Sequence, residues 1–196
     1  MFDLPCVLFA GGKSSRMGQD KSLLPFGGYS TLAQYQYNRL SKLFTYVFIS
    51  TKTADKFDFE ANFILDSTDV DFAPTAGFVS AFDTLGCERF FVLSVDSPFV
   101  DEECIRTLLD ADSAELDAVI AKTSSGTHPM SGLYHVSLLG EFRRMLQESD
   151  HRLGKLLSVS ATRFVEFENE DPFMNLNHPH EYEEALSRYN NKKSNQ

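Results

Sequence analysis

Short apolar runs alternate with helical patterns along the first 120 residues of the chain. A continuous apolar run that ends at glycine, proline or aspartate is typical of a strand buried on both faces of a parallel sheet. The pattern predicts strands at Leu4 to Phe9, Thr45 to Thr51, Phe63 to Leu65, Phe90 to Val95 and Ala118 to Ala121.

Helices are predicted between these runs. Thr31 is expected to cap a helix whose apolar positions run from Leu32 to Leu43. Phe78 to Leu85 also has helical spacing, and Gly86 follows where a helix C-terminus favours glycine. The acids Asp101 to Glu103 open the next helix, whose positive end they complement. This alternation predicts an α/β fold, a three-layer α/β/α sandwich around a mostly parallel, doubly wound, Rossmann-like sheet, with ligands outside the carboxyl ends of the strands.

The alternation of predicted strands and helices is less regular from Ser124 onward. After a loop that contains glycine and serine come a segment Pro129 to Val136 and then three predicted elements, a helix Leu138 to Glu148, a short strand Arg163 to Phe167 and a helix Glu181 to Tyr189. No repeat or low-complexity linker interrupts the chain, so we expect a single domain over residues 1–189. The polar residues 190–196 are expected to form a disordered tail.

Composition limits the classes of partner. The chain has 196 residues and a formal net charge of −10, so its overall field repels nucleic acids and anionic lipid surfaces. No apolar window is long enough for a membrane helix and the start of the sequence lacks a basic secretory signal, so we expect a cytoplasmic protein. An anionic substrate would need a local cluster of cations or a metal ion.

Cysteine usage points away from disulfides and zinc. The three cysteines, Cys6, Cys87 and Cys104, are far apart and form no CxxC pair. We therefore expect all three to be buried as small hydrophobic side chains.

The loop from Ala10 to Lys21, AGGKSSRMGQDK, follows the first predicted strand. Its glycine spacing matches neither the dinucleotide-binding GxGxxG motif nor the P-loop. Adjacent glycines nevertheless allow backbone N–H groups to approach phosphate oxygens, and Lys13, Arg16 and Lys21 supply three cations. The loop is interpreted as a phosphate-binding loop; the alternative is a solvated basic surface loop.

Asp96 comes at the carboxyl end of a buried strand and is followed by Ser97 and Pro98. A carboxylate in this place points into the ligand crevice, and Mg²⁺ is usually held by one or two carboxylates together with substrate phosphates. The alternative is that Asp96 only caps the next helix. Asp66 is similarly placed after a strand, but it opens an acid-rich loop that solvent could equally well surround.

The loop FAGGKSSRMGQDKSLLPFGG resembles the signature of the molybdenum cofactor guanylyltransferase family, LAGGxSxRMGxDKxLLxxxG. Further segments resemble that family in the same order along the chain. They are Leu65-Asp66 followed by Pro74 to Gly77, Val95 to Phe99, Thr127 to Pro129, and Asn175 to Pro179.

The resemblance implies a fold of the nucleotide-diphospho-sugar transferase type. It implies a nucleotidyltransferase that moves GMP from GTP to the phosphate of molybdenum-molybdopterin, releases pyrophosphate and forms the molybdopterin guanine dinucleotide cofactor. Residues 1–122 would form the nucleotide-binding half and residues 123–189 the pterin-acceptor half. The partners implied are GTP, a molybdopterin-type acceptor, and other molybdenum cofactor biosynthesis proteins or molybdoenzyme chaperones; the cofactor implied is Mg²⁺.

The resemblance also assigns roles to individual residues. Arg16, Lys21 and Asp96 would be catalytic, with Arg16 on the β and γ phosphates, Lys21 on the α phosphate and Asp96 on the metal. The implied nucleotide-binding residues are Phe9, Ala10, Gly11, Gly12, Lys21, Ser50, Asp66, Pro74, Gly77 and Asp96. Asn175 and Asn177 would lie near the pterin. Arg152, with Lys155, would approach the pterin phosphate as a second basic pair, or would lie on a solvated helix face.

The chemistry of this reaction agrees with the residue types. Both reactants are polyanions, so charge neutralisation and in-line positioning matter more than a nucleophile from the protein. The acceptor phosphate is already ionised at neutral pH and needs no strong general base.

The sequence departs from the family pattern mainly at residues near the expected nucleoside and pterin. Ser50 stands where asparagine is common, Ala73 and Thr75 change GPL to APT, and His178 replaces the threonine of NxNTP. The changes at Ser50 and in the APTAG segment keep open a related nucleotidyltransferase that uses CTP or a sugar phosphate acceptor. A separate alternative is a non-catalytic nucleotide-binding or adaptor protein that has kept the fold.

Overall fold

The computed structural model describes residues 1–12, 18–66 and 74–194. Seven strands and six α-helices occur in these ranges. In chain order they are β1 (Cys6–Phe9), α1 (Leu32–Leu40), β2 (Val47–Thr51), β3 (Phe63–Leu65), α2 (Pro74–Leu85), β4 (Arg89–Ser94), α3 (Glu102–Asp110), β5 (Ala118–Thr123), β6 (Gly126–His135), α4 (Leu139–Gln147), α5 (Leu153–Val159), β7 (Thr162–Glu166) and α6 (Pro179–Ser194).

The seven strands of the described chain form one sheet in the order β3-β2-β1-β4-β6-β5-β7. β6 runs antiparallel to β4 and β5, whereas all the other neighbours pair in parallel. The mostly parallel sheet predicted from the sequence is confirmed. Of the segment Pro129 to Val136, all but the last residue belongs to β6, the antiparallel strand, and Val136 begins a 3₁₀ turn.

Side chains of β1 alternate between two apolar cores. Cys6 and Leu8 face the core that contains residues of α1, α3 and α6, while Val7 and Phe9 face the core built with α2, α4 and α5. Both cores consist of fully or nearly fully buried side chains. The helices therefore cover both faces of the sheet, which confirms the three-layer α/β/α sandwich.

Local signals at the helix ends are confirmed. Thr31 Oγ1 accepts a hydrogen bond from the Gln34 amide at 3.1 Å, and Asp101 Oδ1 accepts one from the Cys104 amide at 3.0 Å. Each N-cap of this kind stabilises a helix by about 1 kcal/mol. Gly86 ends α2 with φ +57°, a conformation that glycine adopts without steric cost.

Two predictions near the chain surface differ in part from the structure. Residues 190–194 were expected to belong to a disordered tail, but they continue helix α6 to Ser194. Tyr182, Ala185 and Tyr189 anchor this helix on the core, and extending an existing helix adds one hydrogen bond for each residue ordered. The cysteine prediction holds for Cys6 and Cys104, which are buried, whereas Cys87 is partly exposed because it lies in the short connection between α2 and β4.

β1 lies between β2 and β4, with which it pairs in parallel, and the chain winds away from β1 in both directions along the sheet. The carboxyl ends of parallel strands at such a switch point enclose the ligand crevice of doubly wound proteins. Phe9, Ser50 and Ser94 are adjacent in the sheet at this point. Among the described residues, no helix is both long and apolar enough to cross a membrane.

Candidate active site

The crevice begins where β1 ends. The Ala10 amide donates to the Ser50 carbonyl at 2.9 Å, and the Val95 amide donates to the Phe9 carbonyl at the same distance. These bonds continue the sheet by one residue on each side of β1. Beyond them the Gly11-Gly12 backbone is exposed at the mouth of the crevice, as a phosphate-binding backbone must be.

Two adjoining pockets, each of about 230 Å³, open on this backbone. The first, the nucleoside pocket, is lined by Phe9, Gly11, Gly12, Lys52, Asp66, Pro74, Ala76, Ser94 and Met130. The second, the phosphate pocket, is lined by Phe9 to Gly12, Asp20 to Ser22 and Ser94 to Asp96. The first has an aromatic and aliphatic wall suited to a base, and the second collects charged and backbone groups suited to phosphates.

Lys21 and Asp96 form an ion pair in the phosphate pocket. Lys21 Nζ lies 2.5 Å from Asp96 Oδ2, and the Ser94 hydroxyl donates to Asp96 Oδ1 at 2.5 Å. About 16% and 15% of the two side chains are exposed, so both remain reachable from the crevice. Lys21 is placed by a short 3₁₀ turn, Lys21–Leu23, whose N-cap is Asp20.

Asn177 completes this cluster, because its Oδ1 accepts a hydrogen bond from Lys21 Nζ at 3.1 Å. Asn175 lies on the same segment and its Oδ1 accepts from the Ser97 hydroxyl at 2.6 Å. Between them, the Leu176 amide donates to the Asp96 carbonyl at 3.0 Å. The segment 175–177 is thus tied to the loop after β4.

Both asparagines line a third, more open pocket of about 460 Å³. His128 and Phe173 form part of its wall, and their rings stack with centroids 4.9 Å apart. Burial lowers the pKa of His128, although the nearby Glu170 opposes that shift. A second substrate in this pocket would reach the phosphate pocket past Asn177.

Asp66 is held at the end of β3 by Ser50. The Ser50 hydroxyl donates to Asp66 Oδ1 at 2.7 Å, and only 8% of Asp66 is exposed. Burial raises the pKa of Asp66, and the hydrogen bond from Ser50 and the charge of Lys52 reduce that rise. Asp66 lines the nucleoside pocket, where its second oxygen can accept a bond from a ligand.

Ser50 and Gly77 lie behind the nucleoside pocket rather than on its wall. A Cβ atom at Gly77 would come within 2.6 Å of the Phe9 ring and 2.8 Å of Ser50 Oγ. Gly77 therefore lets α2 approach β1 closely, and Ser50 orients Asp66. Direct nucleotide contact by these two residues remains a prediction, and the geometry favours an indirect role for both.

Arg152 lies apart from the two asparagines. About 71% of its side chain is exposed, and its guanidinium pairs with Asp150 at 2.7 Å. Lys155 pairs with the same carboxylate at 3.5 Å. The hydrogen bonds from Arg152 hold the pKa of Asp150 well below its usual range. This position, directly before α5, fits a solvated face better than the third pocket, since Arg152 does not line that pocket.

Three of the residues discussed from the sequence, Lys13, Arg16 and Ala73, lie outside the described residues. Two residues of the nucleoside pocket, Lys52 and Met130, lie outside the motifs. Thr75, which belongs to the Pro74 to Gly77 segment, does not line this pocket; its Oγ1 lies 2.8 Å from His151 Nδ1. Lys52 directly follows the parallel strand β2, so the rule that ligands bind at the carboxyl ends of parallel strands could have identified it from the sequence. Met130 lies on the antiparallel strand β6, to which that rule does not apply.

The donor set fits a divalent metal bound together with substrate. In the described parts of the chain no group of three or more histidine, cysteine, aspartate or glutamate side chains could hold an ion by itself. Asp96, however, presents a carboxylate to the phosphate pocket. One carboxylate plus phosphate oxygens and water is the set by which Mg²⁺ is commonly held.

Comparison with known families gives one matching model. Residues 6–164 match the MobA-like NTP transferase domain, which covers both strands β1 and β4 that carry the phosphate pocket.

Similar proteins extend the match over almost the whole chain. A molybdenum cofactor guanylyltransferase of Campylobacter jejuni subsp. doylei is 43% identical over 186 residues, which cover 94% of this chain and 96% of that protein. One from Helicobacter pylori strain G27 is 35% identical over 189 residues, covering 94% and 92% of the two chains.

Solved structures show the same fold. A protein of Aquifex aeolicus VF5 superposes with a TM-score of 0.74 at 29% identity, covering 89% of this chain and 93% of that chain. The molybdopterin-guanine dinucleotide biosynthesis protein A of Archaeoglobus fulgidus superposes with a TM-score of 0.79 at 20% identity, covering 94% and 97%.

Proposed function

The chain belongs to the MobA-like NTP transferase family, and on that premise we propose that it transfers GMP from GTP to the phosphate of molybdenum-molybdopterin. The protein is a nucleotidyltransferase of molybdenum cofactor biosynthesis. Its products are the molybdopterin guanine dinucleotide cofactor and pyrophosphate.

The ion pair between Lys21 and Asp96 is the observation that carries this proposal. A cation and a carboxylate meet at 2.5 Å beside an exposed diglycine backbone, at the switch point of the sheet. Lys21 would pair with a phosphate of the nucleotide, and Asp96 would hold a divalent metal that neutralises phosphate charge. A protein that only bound a nucleoside would need neither charge in this position.

The reaction is an in-line displacement at the α-phosphorus of GTP. An oxygen of the acceptor phosphate forms a bond to this phosphorus, and the bond from the phosphorus to the oxygen that bridges to the β-phosphate breaks. The electron pair leaves with pyrophosphate. Lys21 neutralises charge on the α-phosphate, and the Gly11 and Gly12 amides donate to phosphate oxygens, so positioning and charge stabilisation supply the catalysis.

Asp96 would hold the divalent metal, which we assign as Mg²⁺ because its oxygen donors suit a hard cation. When bound, the ion neutralises negative charge on the phosphate oxygens and on the departing pyrophosphate. Ser94 keeps the carboxylate aimed at the pocket through its 2.5 Å hydrogen bond.

The nucleoside pocket takes the guanosine moiety. Phe9 and Pro74 provide apolar contact for the base, and Asp66 accepts a hydrogen bond from the nucleoside. The acceptor occupies the third pocket, where Asn175 and Asn177 place its phosphate next to Lys21. We place the reaction in the cytoplasm, in keeping with the charge of −10, which disfavours contact with nucleic acids.

Pyrophosphate release tests this function, measured with GTP and CTP side by side in the presence of Mg²⁺ and a molybdopterin acceptor. We expect turnover that needs GTP, acceptor and metal together. Strong preference for CTP with inert GTP would overturn the substrate assignment. Binding of GTP without any turnover would overturn the enzymatic assignment.

A further inference from the structure

Lys56 lies outside every motif of the sequence, yet its ammonium group contacts both ends of the phosphate-binding loop. Its Nζ donates to the Ala10 carbonyl at 3.3 Å, to Asp20 Oδ2 at 2.7 Å and to Ser22 Oγ at 3.1 Å. Its ammonium also lies 4.9 Å from the centre of the Phe57 ring. About 21% of the side chain is exposed, so the group is fixed on several sides.

The contact with Ala10 has a consequence for the neighbouring amide. A trans peptide is planar, with its C=O and N–H pointing in opposite directions. Because Lys56 holds the Ala10 carbonyl, the Gly11 N–H of the same peptide points away from Lys56. Gly11 lines both the nucleoside and the phosphate pocket, whereas Lys56 lines neither. Lys56 thus fixes the orientation of the Gly11 amide from the side of the peptide that faces away from the two pockets.

The contact with Asp20 acts on the other end of the loop. Asp20 caps the 3₁₀ turn that begins with Lys21, accepting from the Ser22 amide at 3.0 Å and from the Ser22 hydroxyl at 2.7 Å. Burial by itself raises the pKa of Asp20, but hydrogen bonds from Lys56 and Ser22 outweigh burial and lower it. The ionised carboxylate is therefore the form that Lys56 and the turn hold in place.

We propose that Lys56 is a positioning residue that links Ala10 to Asp20 and thereby sets the distance between the Gly11 amide and the Lys21 ammonium for one nucleotide triphosphate. This inference rests on the proposed function, because it assigns the GTP phosphates as the ligand of these groups. Lys56 itself does not touch the nucleotide. Without the Lys56 ammonium, the Gly11 amide and the Lys21 ammonium are still present, but the distance between them is no longer fixed.

Lys56→Met tests this role because methionine keeps an unbranched side chain over Phe57 and removes the ammonium. We expect the KM for GTP to rise about tenfold, with the KM for the acceptor unchanged. Lys56→Arg restores a cation with several donors and should return the KM for GTP to within about threefold of the unsubstituted enzyme. Lys42→Met is the matched control, since Lys42 is exposed in the connection that leads into β2, at the amino-terminal ends of the strands and away from the carboxyl ends where Lys56 lies.

Asp20→Asn provides a second variant in case Lys56→Met folds poorly. Asparagine still caps the turn but offers no charge to Lys56. We expect a similar rise in the KM for GTP. The double variant should have a KM for GTP no higher than that of the more affected single variant, because both substitutions break the same contact between Lys56 and Asp20. Equal KM values for GTP in Lys56→Met and Lys42→Met would overturn the proposal, as would equal rises in KM for both substrates.

Calorimetric binding of GTP to the same variants separates this inference from the proposed function. If the unsubstituted protein binds GTP without turnover, the enzymatic proposal fails. A Kd about tenfold weaker in Lys56→Met, with Lys42→Met unchanged, then still supports the role of Lys56. Unchanged GTP affinity in Lys56→Met overturns that role whether or not the protein turns over.

Discussion

Asn177 Oδ1 accepts a hydrogen bond from Lys21 Nζ at 3.1 Å, although 156 residues separate the two positions. The contact joins the segment that lines the acceptor pocket to the cation assigned to the α-phosphate. Glu181 fixes this segment in turn, because its carboxylate accepts from the Asn177 amide at 2.6 Å and from the His178 amide at 2.7 Å. The two substrates would therefore meet at a side chain that belongs to both sites.

Asn177→Ala removes this shared contact. We expect kcat to fall about tenfold, the size of one lost positioning hydrogen bond, while the KM for GTP changes less than threefold. Steady-state kinetics at saturating acceptor give both constants. Asn191→Ala, on the exposed end of α6, serves as the control. Kinetics of Asn177→Ala that match the control would mean that the contact plays no part in turnover.

Asp96→Asn keeps the shape of the side chain but removes its charge. Since the metal and Lys21 both depend on that charge, we expect kcat to fall about 10² to 10³-fold. The Mg²⁺ concentration that gives half-maximal rate should also rise, and chelation of divalent ions should abolish the rate of the unsubstituted enzyme. Asp110→Asn, at the exposed end of α3, is the control. A normal rate and a normal Mg²⁺ requirement in Asp96→Asn would remove this residue from the metal site.

Much of the fold could be predicted because its signals are local. The β1 run, the Thr31 cap and the glycine that ends α2 each depend on residues close in sequence, and the structure has all three. The position of Asp96 beside the backbone that follows β1 is predictable because neighbouring parallel strands end at one edge of the sheet. The pairing of Asp96 with Lys21 is seen only in the structure.

Other features depend on contacts that sequence spacing does not encode. Lys56 lies in a connection between β2 and β3, and only tertiary packing brings its ammonium to Ala10 and Asp20. For Arg152 the sequence leaves open contact with the acceptor phosphate or a solvated helix face, because the need for a second cation does not fix where the side chain points. In the structure Asp150 binds the guanidinium, which favours the solvated face.

Asp66→Asn should lower the affinity for GTP and raise the thermal stability of the protein. Burial raises the pKa of Asp66 in the folded state, so near neutral pH the ionised carboxylate costs folding free energy that asparagine avoids. With the folded pKa above the unfolded one, this cost is present above the folded pKa and disappears as pH falls below 3.8, the ordinary pKa of an aspartate side chain. We expect Tm of the variant to exceed that of the unsubstituted protein by about 2 °C or more at pH 7, with no excess at pH 3.

Thermal unfolding at several pH values measures this difference, and GTP affinity at pH 7 measures the loss of the acceptor oxygen. Ser50 can still donate to the asparagine carbonyl oxygen, so the hydrogen bond observed at 2.7 Å need not be lost. A Tm gain that is equal at all pH values would assign the effect to packing instead of charge.

Gly77→Ala tests the close approach of α2 to β1. The added methyl group would lie 2.6 Å from the Phe9 ring and 2.8 Å from Ser50 Oγ, closer than van der Waals contact allows. Because Phe9 is packed tilted against Phe78 with ring centroids 5.0 Å apart, its ring has little room to retreat. We expect a loss of about 1 to 3 kcal/mol in the free energy of unfolding, typical of overpacking, together with weaker GTP binding.

Gly140→Ala is the matched control, because Gly140 is the second residue of helix α4 and a Cβ atom there would meet nothing within 4 Å. Alanine is favoured over glycine at helical positions, so this variant should gain up to about 1 kcal/mol and keep its affinity for GTP. Opposite signs for the two substitutions, measured by urea unfolding, identify the contact with Phe9 and Ser50 as the cause. If Gly77→Ala is as stable as Gly140→Ala, the approach of α2 to β1 does not require glycine, and the role assigned to residue 77 in shaping the nucleoside pocket is wrong.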